Sequence, residues 1–178
     1  GPVDPQAGKT LKGIARTAGY MTNMVRDYLD LTRLEGGDLR YEPKEGVLFG
    51  PDVLQFALDQ TEIWAAQRGS RFRVEGPWKR VRLRGDMGLL RTLFLNLAEN
   101  AVKYGGDAIE VLVRAAVKDG RLTVSVRNPG VGFSPVQSAK LFKRFSRLQQ
   151  RGLEDRKGSG LGLYLCYWPT RSSRSQET

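Results

Sequence analysis

The stretch DMGLLRTLFLNLAENAVKY at residues 86–104 constrains this chain more than any other. It predicts one helix with two unlike sides. Asp86 suits the N-cap, where its carboxylate accepts an N–H that the first turn leaves unpaired. Leu90, Leu93, Leu97 and Ala101 follow at spacings of three and four, a stripe directed at a core. Asn96, Asn100 and Lys103 form a second stripe, with Glu99 beside it and Tyr104 at its end. Amides and a carboxylate offer hard oxygens of the kind Mg²⁺ takes, and an ammonium can meet a phosphate. A solvated polar face is the other reading of the same residues.

What surrounds this helix reads as alternating helices and short strands. Residues 9–34 carry Leu11, Ile14, Ala18, Met21, Val25 and Tyr28 at heptad spacing, with Leu31 and Leu34 continuing an apolar side and Gly36-Gly37 stopping the helix. Such a seam needs a partner helix: a second copy, a segment outside this chain, or its own domain. A short strand is expected at residues 39–41, ended by Pro43. A helix is expected at residues 51–68, with Pro51 first and Leu54, Ala57, Leu58, Trp64 and Ala65 inward. Strands at 71–75 and 79–84 flank Gly76-Pro77. Basic residues alternate there with Phe72, Val74, Val81 and Leu83, as on the outer face of a sheet.

Gly105-Gly106 ends the central helix. Ile109, Val111 and Val113 then alternate with polar neighbours, as do Leu122, Val124 and Val126, and Lys118-Asp119-Gly120 joins the two runs as a hairpin turn. Beyond them NPGVG at 128–132 is too rich in glycine to be only a turn. Ser134-Pro135 opens a helix expected to bury Leu141, Phe142 and Phe145. Residues 147–157 read as a charged, mobile loop. GSGLGL at 158–163 opens a last helix running through Cys166, stopped by Pro169, and the tail RSSRSQET reads as disordered.

Composition narrows the chemistry. The 178 residues include a single cysteine and no histidine, which removes internal disulfides, zinc spacings and histidine-based triads and fits a reducing, cytoplasmic compartment. No apolar run approaches the length of a membrane span, and the opening GPVDPQAGKT has no signal-peptide core; its Gly-Pro start resembles a tag-removal scar. A net charge of +10 admits a nucleic-acid surface, but it equally fits solvated strand faces near an anionic ligand, and no nucleic-acid partner is expected.

Two glycine motifs fail on inspection. Gly8-Lys9-Thr10 ends like a P-loop, yet Val3 stands where the first glycine must be. Gly158, Gly160 and Gly162 miss the dinucleotide fingerprint, whose third glycine falls one position later. Glycines at a helix start nevertheless let backbone N–H groups approach an anion, and a phosphate chain is a natural guest. A flexible hinge is the alternative.

In order, NLAENAVKY at 96–104, NPGVG at 128–132, FKRF at 142–145 and GSGLGL at 158–163 resemble the N, G1, F and G2 boxes of sensor histidine kinases. The ATP-binding domain of that family has the Bergerat-type fold shared with gyrase and MutL. The leading helix, ending LDLTRLEGGDL, resembles the second helix of the family's dimerisation and phosphoacceptor hairpin. The resemblance covers residues 9–166. It implies an α+β two-layer sandwich, a mixed sheet with helices on one face, preceded by the long heptad helix. Residues 1–37 would be the partial dimerisation region, 38–168 the catalytic domain and 169–178 the tail.

The resemblance also implies a set of roles. Asn100 would bind Mg²⁺ and Asn96 would help organise metal and phosphates. Lys103 would meet a phosphate, and Tyr104 would line the nucleotide. Asn128 would meet the adenine amino group, with Gly130 and Gly132 letting the base approach. Phe142 and Phe145 would anchor the lid. Gly158, Gly160, Leu161, Gly162 and Leu163 would form the triphosphate loop, and Glu99 would polarise the attacking group.

The implied activity is transfer of the ATP γ-phosphate to a histidine outside this chain, then to an aspartate on a response-regulator receiver domain. The implied assembly is a homodimer through the leading helix, in a full-length protein attached to the membrane or free of it. Three departures qualify the match. Asn128 stands where aspartate is usual; its amide oxygen still accepts from an amino group, at a loss of about 1 kcal/mol for the missing charge. There is no phosphoacceptor histidine, which is expected on a helix outside the chain. YWPTRSSRSQET stands where the family continues its helix and adds strands. Asn128 and the short C-terminal segment motivate the alternative, a weak or inactive nucleotide-binding or docking module.

Overall fold

The structure, a computed structural model, describes residues 5–35, 41–146, 159–164 and 166. Its elements are α1 (Pro5–Glu35), β1 (Lys44–Leu48), a π-turn (Phe49–Leu54), α2 (Gln55–Gln67), β2 (Arg71–Glu75), a 3-10 turn (Trp78–Arg80), β3 (Arg82–Gly85), α3 (Met87–Gly105), β4 (Glu110–Lys118), β5 (Arg121–Arg127) and α4 (Pro135–Ser138). A further helical turn covers residues 162–164.

The sheet is mixed, as expected. Its order is β2-β4-β5, with β2 parallel to β4 and β4 antiparallel to β5. A separate antiparallel pair, β1 with β3, stands beside it. The β4–β5 hairpin follows from its turn: Asp119 (φ 51°) and Gly120 (φ 70°) both adopt left-handed backbone, the geometry that matches strand twist in a two-residue loop. Alternation then sends Val111, Val113 and Ala115 inward, where they are buried, and Arg114 outward.

α2 and α3 cover the inner face and complete the second layer. Phe49, Val53, Leu54, Ala57 and Leu58 meet Phe94 of α3 and Val113 and Ala115 of β4, and the Phe49 and Phe94 rings stand edge to face with centroids 5.0 Å apart. A second cluster joins Ala65 to Ala101, Val102 and Val111. The outer face carries an ionic ladder instead. Arg71 pairs with Glu110 at 2.8 Å, and Arg73 and Arg114 both reach Glu75, at 2.7 and 2.9 Å. The hydrogen bond from Arg114, aided by the charge of Arg73, holds the Glu75 carboxyl below the usual carboxylate range.

Several expectations require correction. Of the strand expected at 39–41, residues 39 and 40 lie outside the described residues and Tyr41 belongs to no strand; β1 begins after Pro43, and, lacking an N–H, Pro43 stands at a strand entrance, where no ladder bond is lost. The second helix starts at Phe49 with a π-turn, which the Asp52 carboxylate closes by accepting the Leu48 N–H at 2.8 Å. The strand expected at 79–84 is shorter, because Trp78–Arg80 forms a 3-10 turn. The helix opened by Ser134 is capped as expected, with Gln137 completing a capping box, but it stops at Ser138. Phe142 and Phe145 are consequently 45% and 61% exposed rather than buried. Gly158, the charged loop at 147–157 and the tail at 169–178 lie outside the described residues.

Candidate nucleotide site

The site grows from the two sides of α3. Phe94, Ala98, Ala101, Val102 and Gly105 are its buried residues. The stripe drawn through Leu90, Leu93 and Leu97 is thus displaced by about one position from the deepest line, and those leucines are only half-buried. At about 100° per residue, Asn96, Glu99, Asn100 and Lys103 fall on the opposite side. All four are half-buried, so this is not a freely solvated face. Asp86 caps the helix as expected, accepting the Leu89 N–H at 3.1 Å, and its other oxygen accepts the Glu42 N–H at 3.0 Å.

The last glycine segment lies along the polar side. A β-carbon built on Gly162 would sit 2.6 Å from Asn96 Oδ1, so only glycine leaves that amide oxygen its place. The Asn96 amide nitrogen donates to Thr92 O at 3.0 Å, which points its oxygen the other way, toward the glycines. Leu161 is buried, and the Cys166 thiol, also buried, donates to Leu93 O at 3.7 Å. The thiol contact and the approach of Gly162 to Asn96 seat these residues on α3. Burial pushes the Cys166 thiol up to about 12.

The loop after β5 closes the C-terminal end of the helix. A β-carbon on Gly130 would meet Tyr104 O at 2.7 Å and the Asn128 amide nitrogen at 3.1 Å. One on Gly105 would meet the same amide nitrogen at 3.3 Å, so Asn128 lies between two bare glycines. Lys103 Nζ stands 5.1 Å from the centre of the Tyr104 ring. Gly132, in left-handed backbone (φ 64°), has open space where a side chain would be.

Phe142 and Phe145 do not reach the site with buried rings. What meets the glycine segment is the backbone at Phe145, itself left-handed at φ 55°: a β-carbon on Gly160 would lie 2.7 Å from its carbonyl carbon. Arg144 stacks over Tyr164 at 5.2 Å and joins the same two segments.

The structure therefore gathers Asn96, Leu161, Gly162 and Leu163 at one end of the polar stripe and Tyr104, Asn128 and Gly130 at the other. Sequence reasoning missed Gly105, read only as a helix stop, and the tether from Cys166. A glycine inside the last helical turn, before a second glycine, was the available signal. Among the described residues no group of three or more carboxylates or thiols could enclose a metal. The donors that fit Mg²⁺ are the amides of Asn96 and Asn100, sufficient for an ion that takes few protein ligands and relies on phosphates and water.

Residues 85–174 match the model of the histidine kinase-, DNA gyrase B-, and HSP90-like ATPases, half of the chain. The chain is 29% identical over 166 residues to the histidine protein kinase DivJ of Caulobacter vibrioides, covering 93% of this chain and 27% of that protein. The structure of full-length ShkA in complex with AMPPNP superposes with a TM-score of 0.70 at 24% identity, covering 97% of this chain and 35% of that one. Histidine kinase ThkA in complex with response regulator protein TrrA gives a TM-score of 0.63 at 18% identity, over 82% of this chain and 42% of that one. At such identities the two structures speak to the fold alone. The chain spans between 27% and 36% of the length of the curated relatives it matches. With the amide helix, the glycine segments along it and beyond it and the mixed sheet beneath, the chain belongs to the histidine kinase-, DNA gyrase B-, and HSP90-like ATPases.

Proposed function

We propose that this domain binds Mg·ATP on the polar side of α3 and transfers the γ-phosphate to a histidine on a helix outside the chain, for relay to a response-regulator aspartate. The observation that carries this reading is the Asn96–Gly162 contact. It sets a glycine segment that opens a helical turn against the Asn96 amide oxygen, and glycines in that position let backbone N–H groups approach a phosphate. The match to a family of ATPases supports the ligand class, and the relatives named as histidine kinases support the reaction class.

In this proposal Asn128 accepts from the adenine amino group, while Gly130 and Gly132 leave room for the base. Tyr104 lines the nucleotide, Lys103 meets a phosphate, and Gly160 and Gly162 admit the triphosphate. Asn100 would hold Mg²⁺, which when bound neutralises phosphate charge, and Asn96 would help organise metal and phosphates. Glu99 polarises the attacking imidazole. The chain's contribution is mainly positioning and fixed dipoles, as phosphoryl transfer requires. Residues 38–168 form the catalytic unit, and α1 belongs to a dimerisation region at 1–37. The free, buried Cys166 suits a cytoplasmic setting.

The test supplies labelled ATP and a separate polypeptide carrying the histidine helix. Label on that histidine is expected, lost in Asn100→Ala and Asn100→Asp. Mg·ATP binding without label would select the second reading, a nucleotide-binding docking module, which the neutral Asn128 favours. Absence of binding would remove the kinase reading and favour a partner-docking role.

A further inference from the structure

We propose that Arg68 is a positioning residue for base recognition: from the end of α2 it holds the turn at residues 105–109 against the Asn128 amide. The inference rests on the adenine-site reading above.

The turn is poorly suited to hold its own shape. Ala108 sits in left-handed backbone at φ 54°, which alanine rarely adopts, and Gly106 lies at φ 103°. The corner between α2 and β2 supplies the constraints. Arg68 O accepts the Ala108 N–H at 2.8 Å, and the Arg71 N–H donates to Ile109 O at 2.9 Å. The buried Ser70 hydroxyl accepts the Ile109 N–H at 3.3 Å. Arg68 Nη2 reaches Asp107 Oδ1 at 2.5 Å, and its guanidinium lies 5.9 Å from the centre of the Trp64 ring. That guanidinium is more confined than the carboxylate it pairs with. Its side chain is 20% exposed against 71% for Asp107, and its Nε is buried without a hydrogen-bond partner.

The other side of the turn is the wall of the base site. A β-carbon on Gly105 would run into Ile109 Cδ1 and approach Asn128 Cβ at 3.2 Å, so Gly105, Ile109 and Asn128 are already in contact order. A shift of the turn moves the surface on which the Asn128 amide rests. An ion pair with one well-exposed partner adds little to stability. Its loss is therefore expected in the aim of the amide rather than in the fold.

The experiment compares calorimetric affinities of the whole chain for Mg·ATP and for purine riboside triphosphate, which lacks the 6-amino group. Arg68→Ala is expected to weaken ATP about fivefold, the equivalent of one ordinary hydrogen bond, and to leave the analogue unchanged. Arg68→Lys should recover most of the ratio. Should Arg68→Ala fail to fold, Asp107→Asn, altered at the exposed partner, should show the same selective loss. Equal losses for both nucleotides, or no loss for either, overturn the proposal while leaving the adenine site standing. If the unsubstituted chain binds ATP no better than the analogue, the adenine reading falls and takes this inference with it.

Discussion

A methyl group at Gly162 and one at Gly130 meet different obstacles. The first would sit 2.6 Å from the tip of the Asn96 side chain, the second 2.7 Å from the Tyr104 carbonyl. A side-chain tip can rotate away, whereas the end of a packed helix cannot. Gly162→Ala should therefore leave the melting temperature nearly unchanged but weaken Mg·ATP about tenfold or more, because Asn96 has to give up its pose. Gly130→Ala should lose about 1–3 kcal/mol of stability as well, the usual cost of overpacking. Calorimetry and thermal melts on both variants check this; full affinity in Gly162→Ala would remove the contact from the site. Cys166 offers a second residue-scale test. Burial raises its thiol from the ordinary 9.0 to about 12. The folded chain keeps the proton where the unfolded chain releases it, so this contribution is fully present below pH 9.0 and is lost as pH rises toward about 12. Native protein should resist iodoacetamide at mildly alkaline pH and react once denatured, as read by mass spectrometry. Rapid labelling of the native protein would contradict the tether to Leu93.

At the scale of elements, Asp86 joins two of them. One carboxylate oxygen caps α3 and the other accepts the Glu42 N–H ahead of β1. Asp86→Ala should cost about 1–2 kcal/mol in urea unfolding, the range for a lost cap, while Asp86→Asn keeps most of it. An alanine variant of unchanged stability would mean that water satisfies both donors. The cap was legible because it depends on residues three apart, and the β4–β5 hairpin because alternation and an Asp-Gly turn are local. Gly50 explains why the π-turn was not. A β-carbon there would lie 2.7 Å from Lys79 Cα, so the opening of α2 is shaped by a segment far along the chain. The line of deepest burial on α3 was misplaced for a similar reason. With sheet on one side and a glycine segment on the other, its leucines are all half-buried, and Phe94 is selected by its partner Phe49. In the site, the residue types announced the chemistry, but the Gly105–Asn128–Gly130 contact exists only once the hairpin has folded back on α3.

For the whole molecule, α1 is the element whose apolar seam the described residues do not cover. Leu11, Ile14, Met21, Val25 and Tyr28 are between 56% and 61% exposed, so among the described residues nothing of its own domain packs on the heptad seam. Leaving such a row in water is unfavourable by roughly 25 cal/mol per Å² of apolar surface, so a second copy is the economical partner in a purified sample. Against it stands the net charge of +10 on each chain, which makes two copies repel. Added salt screens that repulsion and leaves the apolar contact intact, so association should strengthen with ionic strength, the opposite of what paired surface charges would give. Sedimentation at low and high salt reads this directly. Met21→Glu with Val25→Glu should give a monomer at both. Because none of the site positions lies on α1, the monomeric variant should bind Mg·ATP as the dimer does; a coupled loss of affinity would place α1 against the nucleotide site, and a monomeric parent chain at every salt would assign the seam to a helix outside this chain.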